Sequence, residues 1–380
     1  MKPEGSRYVA CFLSLAGKLS RADTLQYLLV QMDDILALSI SSSDLFFNSA
    51  KVTTDLPYTP LIRLLSNPDE YVQLMAGKVL TVLVGAATSF PSTVDFKPVF
   101  TWIATLLGNT NANLQDLGLQ YLDGLLTPKE IKPVFWATPN APEALANILK
   151  TGTPNAQTSY QAIYAFWLLS YDPIVAGDIN KRTNIVPEFI EIAKNAIKEK
   201  VIRIIVATFR NLALKAPDDN IIPMLGAKLL PFVETLQGRK WTDAEIVEDL
   251  EYLKDVLSHN VANLTTWDEY YSEVKSGHLD WSPPHLSENF WKNNVTKLND
   301  RDHELLKALA RLMATSKDSK VLAVACHDIG QYVKFYPEGK KFVQEVGAKQ
   351  HIMELMANED SDVRYNALLA TQKYMEKAWN

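Results

Sequence analysis

The residues of this chain that could do chemistry stand in incomplete sets. His303-Glu304-Leu305-Leu306-Lys307 opens like the helix of a zinc protease, in which two histidines four apart hold the metal. Lys307 occupies the place of the second imidazole, so a ligand is missing. Gly77-Lys78 resembles the end of a phosphate loop, but valines at 72 and 79 replace the upstream glycine and the Mg²⁺-binding hydroxyl. Cys326 and His327 are neighbours in a helical stretch, so their side chains diverge and form no nucleophile–base pair. His259, His278, His285 and His351 show no ligand spacing, and His327 reads as a core or groove histidine. The acid pairs Asp33-Asp34, Asp218-Asp219 and Glu359-Asp360 read as helix ends and turns. These residues point to no catalytic site, no metal and no cofactor.

The elements that carry them are helical, with apolar residues at a period near 3.6. One design recurs: an apolar helix end, a short Asn/Asp/Pro turn, then a longer amphipathic helix with small residues in its middle. Leu61 to Leu65 precedes SNPDE and YVQLMAGKVLTVLV; Ile352 to Met356 precedes ANEDSD and VRYNALLATQKYM. The first helices end at 65, 107, 149, 197, 313 and 356; the intervals 42, 42, 48 and 43 fit an armadillo/HEAT repeat, and only the gap from 197 to 313 breaks step. Each helix pair has an apolar face that only a neighbouring pair can bury. Ala76, Gly77, Ala162, Ala367 and Ala370 are placed for close helix approach. Thr127 to Glu130 and Thr242 to Glu245 match the capping-box pattern. The expected fold is an all-α armadillo/HEAT-like helical-repeat superhelix with a smaller C-terminal helical-repeat domain, interrupted between about 240 and 300.

That interruption holds WDEYYSEVKSGHLDWSPPHLSENFW, residues 267–291, with three of the eight tryptophans. Paired prolines at 283 and 284 argue for an extended segment. Residues 241–300 carry a local net charge of −8 within a chain of −6, leaving the rest near +2. This balance disfavours a general nucleic-acid binder. Two distant cysteines form no disulfide framework and suit a reducing compartment. The apolar run Val79 to Ala87 is far too short to cross a membrane, and the N-terminus lacks a signal-peptide core. A soluble cytosolic protein is expected.

The segment ending WSPPHLSENFW resembles the regulatory H subunit of the vacuolar proton-translocating ATPase (V-ATPase), where Asp-Glu-Tyr is followed by a WSPxHxSExFW block. KEKVIRIIVATFRNL (198–212), VLAVACHDIGQYVKFYPEGKK (321–341) and DVRYNALLATQKYM (362–375) are similar to further blocks of that family. Family members usually carry additional sequence before the region of Ser6. The resemblance implies a non-catalytic regulatory subunit of the V1 sector, needed for coupled ATP hydrolysis and proton pumping and inhibiting hydrolysis by detached V1. It also implies an N-terminal repeat domain (1–260), a C-terminal regulatory domain (261–380) and a hinge near Asn260 to Thr266. The implied partners are the E and G subunits of the peripheral stalk, the cytosolic N-terminal domain of the membrane-sector a subunit and, in detached V1, the catalytic hexamer and central stalk. The implied location is the cytosolic face of vacuolar and endomembranes, without membrane insertion.

Within that frame, the turn Thr315 to Lys320, with Ser316, Lys317, Asp318, Ser319 and Lys320, is the expected partner contact, being polar and most divergent from the repeat design. Asp268 and Glu269 are expected to add charge to a partner or to cap a helix. Trp267, Tyr270, Trp281, Pro283, Phe290 and Trp291 are expected to root the C-terminal domain. The alternative is an armadillo-type trafficking or transport adaptor, against which the absence of regularly placed Trp/Asn pairs weighs.

Overall fold

The computed structural model describes residues 3–51, 56–150, 155–261 and 266–376, and no strand occurs among them. Helices α1 (Pro3–Ala16), α2 (Ala22–Leu38) and α3 (Ser43–Phe47) precede the repeats. Then α4 (Tyr58–Leu64) pairs with α5 (Glu70–Ala86), and α6 (Lys97–Leu107) with α7 (Ala112–Leu125). Short α8 (Lys132–Ala137) leads into α9 (Ala141–Lys150) and α10 (Ala156–Leu169). α11 (Pro173–Thr183), α12 (Ile185–Asn195) and α13 (Glu199–Lys215) follow. The expected helix ends are met within two residues throughout.

A single turn chemistry builds most of these pairs. Asn67 Oδ1 accepts from Asp69 N–H (2.9 Å), and Asp69 then caps α5 by accepting from Val72 N–H. Asn109 and Asn111 repeat the device before α7 (2.8 and 3.0 Å). Each polar side chain satisfies an N–H that the helix start leaves orphaned. The expected cap at Thr127 does not form. Pro128 leads into a 3₁₀ turn, and the Thr127 hydroxyl instead bonds back to Asp123 O. At the other expected capping box the cap is Asp243, which accepts from Glu245 N–H.

The chain divides into two compact units, Met1–Glu188 with Ala196–Ala216, and Phe189–Asn195 with Pro217–Asn380. In the first, the second helices of successive repeats lie side by side, α5 on α7, α7 on α10 and α10 on α13. A Cβ on Gly77 would lie 2.3 Å from the Trp102 ring, so glycine is required where α5 meets α6.

The second unit contains α14 (Pro217–Gly226), α15 (Leu229–Gln237) and α16 (Ala244–Val261). It continues with α17 (Thr266–Ser276), the single turn α18 (Pro283–Leu286) and α19 (Glu288–Asn294). Helices α20 (Asp300–Thr315) and α21 (Ser319–Phe335) form one further repeat; after α22 (Lys340–Glu345), α23 (Ala348–Leu355) and α24 (Ser361–Met375) form another. α21 is its central helix, buried without a break from Val321 to Cys326. α24 packs along it so closely that a Cβ on Gly330 would meet Ala370 Cα at 3.0 Å.

The sequence from 267 to 291 is less extended than expected. Its first ten residues lie in α17, and the chain leaves helical geometry between Gly277 (φ 77°) and Ser282 (ψ 160°) and again at Ser287 (ψ 113°). The prolines act locally: Pro283 starts α18, where its missing N–H costs nothing. The expected division at 260/261 falls inside the second unit, because α14 packs on α17. A Cβ on Gly226 would lie 2.0 Å from Ser272 Cβ. The expected hinge lies partly outside the described residues.

Candidate functional site

The segment 267–291 is anchored by a buried ion network. His285 is fully buried. Its Nδ1 lies 2.8 Å from Asp328 Oδ2 of α21, and its Nε2 lies 3.0 Å from Glu273 Oε2 of α17. Both carboxylates are inaccessible to solvent, and Ser282 Oγ donates to Glu273 at 2.9 Å. Burial alone would lower the imidazolium pKa, but Asp328 and then Glu273 outweigh it and raise it to about 10. Asp328 pays a burial cost, yet His285 holds its carboxyl below the usual carboxylate range. The imidazolium is therefore charged at neutral pH and bridges two anions. With both nitrogens engaged by carboxylates, it has none left for a proton relay, and the Ser282 hydroxyl donates to Glu273 rather than to the imidazole.

Aromatic packing surrounds the network. Trp291 Nε1 donates to His285 O at 2.9 Å, and the Tyr270 ring lies 5.1 Å from His285. Tyr270 also packs against Phe290 and Trp291, at 5.0 and 5.5 Å. Trp267 stacks on Phe290, and Trp281 meets the His327 ring edge-on at 5.2 Å. Trp267, Tyr270, Trp281, Phe290 and Trp291 thus all pack within this body. Pro283 does not: it is exposed at the start of α18, and Pro284 is the buried one.

The zinc-like stretch has a packing role. Glu304 accepts from Tyr271 OH (3.0 Å) and pairs with Lys275 (2.6 Å), tying α17 to α20. Arg301, Asp302 and His303 all adopt left-handed backbone, φ 50° to 58°. Such residues cost about 1–2 kcal/mol each. Contacts offset this cost: Arg301 donates to Tyr271 OH at 2.7 Å, and the His303 ring lies on Phe342 at 4.1 Å.

The polar turn is exposed at Lys317, Asp318 and Lys320 and partly so at Ser316 and Ser319. Its construction does not depart from the repeat design. Ser316 Oγ accepts from Asp318 N–H, and Asp318 caps α21 by accepting from Lys320 N–H (2.8 Å). Asn358 and Asp360 do the same before α24. Lys320 Nζ reaches Asp280 at 3.5 Å, and Lys228 Nζ lies 3.8 Å from Asp280 and 3.7 Å from Glu273. The turn is therefore coupled through Asp280 to the segment that His285 anchors. Asp268 and Glu269 open α17, at its other end, and are only partly exposed. Burial, then repulsion from Glu273, raises the Glu269 pKa.

Sequence reasoning missed Glu273, His285, Asp328, Lys228 and Asp280. One signal was available: Asp328 follows the apolar stretch Val321 to Cys326 and precedes Ile329 in a helix buried on both sides of it, which calls for a buried counter-ion.

Two family models, both described as the V-ATPase H subunit, match residues 1–257 and 263–379, which is nearly the whole chain. The chain belongs to the V-ATPase H-subunit family. It is 37% identical to the V-type proton ATPase H subunit of Drosophila melanogaster over 98% of its length and 80% of the relative's. It is 32% identical to a probable V-type proton ATPase H subunit of Caenorhabditis elegans, over 96% and 78%. It is 30% identical to a probable H subunit of Oryza sativa subsp. japonica, over 97% and 86%. Among solved structures, an engineered protein from the Northeast Structural Genomics Consortium matches with TM-score 0.51 at 15% identity, covering 98% of this chain and 99% of that one. That likeness concerns the helical-repeat fold alone. In this member of the H-subunit family, no helix among the described residues is long and apolar enough to cross a membrane. Nor does any group of three His, Cys, Asp or Glu among them stand ready to hold a metal.

Proposed function

We propose that the chain is a non-catalytic regulatory subunit of the V1 sector of a V-type proton ATPase. In the assembled enzyme it supports coupled ATP hydrolysis and proton pumping; on detached V1 it inhibits hydrolysis. The reading rests on one observation above others: both family models match, one after the other, so the chain carries both halves of an H subunit. Residues 1–260 dock on the E and G subunits of the peripheral stalk. Residues 261–380 engage the cytosolic N-terminal domain of the membrane-sector a subunit, or in detached V1 the catalytic hexamer and central stalk. Two docking places competing for one regulatory body make a bistable switch. The pump's attachment then places the chain on the cytosolic face of vacuolar and endomembranes.

The physical basis of the brake is rigidity. A contact turn transmits resistance only if its own backbone resists displacement. The turn 316–320 is capped onto α21 and paired to Asp280, while α21 is pinned by the Asp328–His285 pair. The test is reconstitution: the full chain is added to purified V1 lacking it, and Mg²⁺-ATP hydrolysis is measured. Inhibition that saturates near one chain per V1, with binding to isolated E/G stalks, is expected. Unchanged hydrolysis together with no stalk binding overturns the reading.

A further inference from the structure

The first unit carries a row of aromatics that faces away from its core. Tyr160, Tyr164, Trp167 and Tyr171 recur at spacings of 4, 3 and 4, which sets them on one face of α10 and the turn after it. Ala162, Ala165 and Leu169, on the opposite face, are fully buried, whereas all four ring-bearing residues keep exposed surface and Tyr171 is 44% exposed. Trp167 meets Tyr164 at 5.3 Å and Tyr171 at 5.1 Å, so the last three rings form a continuous ledge. α13 borders the row along its length: Lys200 lies over Tyr160 at one end, and Asn211 donates to Ser170 Oγ at 2.9 Å near the other.

A lysine stands at each end of this row. Lys200 is exposed and holds its Nζ 4.1 Å from the Tyr160 ring centroid; Lys132 of α8 holds its Nζ 5.2 Å from that of Tyr171. Lys132 is only 6% exposed. Among the described residues its ammonium has no hydrogen-bond acceptor and no carboxylate within ion-pair distance. Asp172 acts on it from farther away, but Asp172 Oδ1 is engaged in capping α11, where it accepts from Ile174 and Val175 N–H at 3.0 Å each. Burial lowers the Lys132 pKa, and the charge of Asp172 opposes that shift. A lysine buried this deeply is normally paired, and an ammonium without an acceptor is costly. Two cations that lack an anion thus bracket an apolar ledge.

We propose that the α10 ledge, with Lys132 and Lys200 at its ends, is a docking site for an acidic, extended segment of a partner protein. One carboxylate pairs with Lys132 and a second with Lys200, while proline or leucine side chains between them lie on Tyr164 and Trp167. From Tyr160 to Tyr171 the row spans about 16 Å at the helical rise, which an extended chain covers in about five residues. The pattern recognised is therefore an acid, a short apolar stretch and a second acid. Both lysines repel a basic segment. The site lies in the first unit and does not rest on the regulatory reading of the second.

The full chain alone, without V1, is titrated with a blocked peptide carrying two glutamates five positions apart with proline and leucine between them, and with its glutamine counterpart. Affinity is measured by calorimetry at low and high salt. The indole N–H signals are followed by NMR, with Trp167 assigned through Trp167→Phe. The expected result is binding of the glutamate peptide that weakens with salt, moves the Trp167 signal and exceeds that of the glutamine peptide. Lys132→Met keeps the stem and removes an unpaired buried charge, so the melting temperature is expected to stay the same or rise. The same variant is expected to weaken binding about tenfold or more. Lys200→Gln, at an exposed position, is expected to weaken it about threefold. Equal binding of the glutamine peptide, an unmoved Trp167 signal, affinity unchanged by Lys132→Met, or no binding of the glutamate peptide overturns the proposal. Because V1 is absent from the titration, such a failure leaves the regulatory reading to its own reconstitution test.

Discussion

At the scale of single residues, His285 has the largest predicted effect. Removing it deprives the fully buried Asp328 of its closest counter-charge and leaves Glu273 with only Lys228 at 3.7 Å, and breaking such a network costs about 3–5 kcal/mol. His285→Gln, which keeps the size but not the charge, is therefore expected to lower the denaturation midpoint of the full chain sharply at pH 7. The pH dependence has a definite sign. The imidazole pKa rises from 6.5 to about 10 on folding, so its contribution is complete below about pH 6.5 and drains away as pH climbs towards 10. Asp328, whose pKa is depressed, contributes above its unfolded value and loses that contribution as pH falls through the folded one. Urea titrations between pH 6.5 and 10 should show a falling stability in the parent chain that His285→Gln flattens; parallel slopes would mean the imidazole is not the titrating group. Asp123 behaves oppositely. Its folded pKa, about 8 against 3.8, means that folding weakens as pH rises between those values. Asp123→Asn should therefore stabilise by on the order of 1–3 kcal/mol at pH 8 and by little at pH 4, which thermal scans at the two pH values would check.

At the scale of elements, periodicity and turn chemistry were legible and long-range pairing was not. The ends of α4, α6, α9, α12, α20 and α23 could be read from where apolar runs stop, and in the turns after α4, α6, α20 and α23 the polar side chains bond their own backbone. The proline pair misled beyond its reach: it bars helix before residue 283 but has no hold on α17, which acidic residues in its first turn and a buried face at Tyr270, Glu273 and Val274 support. Pro283 and Pro284 differ by burial, which composition cannot express. The partners of Glu273 and Asp328 lie on three separate elements, so only tertiary structure brings them together. The turn before α21 offers a test of what the element needs. Asp318→Ala removes a helix cap and is expected to cost about 1 kcal/mol, read as faster amide exchange in the first turn of α21. Lys317→Ala touches no such bond and should leave stability and exchange unchanged.

At the scale of the molecule, the question is how far a partner contact can be separated from the body that holds it. Cutting the chain at 260 is the obvious way to isolate a stalk-binding half, but α14 packs on α17, with Gly226 against Ser272. A 1–260 fragment would expose that face of α14, so it should bind a hydrophobic dye and unfold at lower temperature than the intact chain. Loss of inhibition in such a fragment would not discriminate a missing contact from a damaged body. Charge reversal in the intact chain does discriminate. Lys317 and Lys320 are exposed, and the pairing of Lys320 with Asp280, itself half-exposed, is of the kind worth at most about 1 kcal/mol. The double substitution Lys317→Glu, Lys320→Glu should therefore leave the melting temperature nearly unchanged. If the turn is the brake's contact, the same protein still binds V1 through residues 1–260 but no longer suppresses Mg²⁺-ATP hydrolysis by detached V1. Full inhibition by a well-folded double variant would remove residues 316–320 from the mechanism and turn attention to the charges that open α17, Asp268 and Glu269.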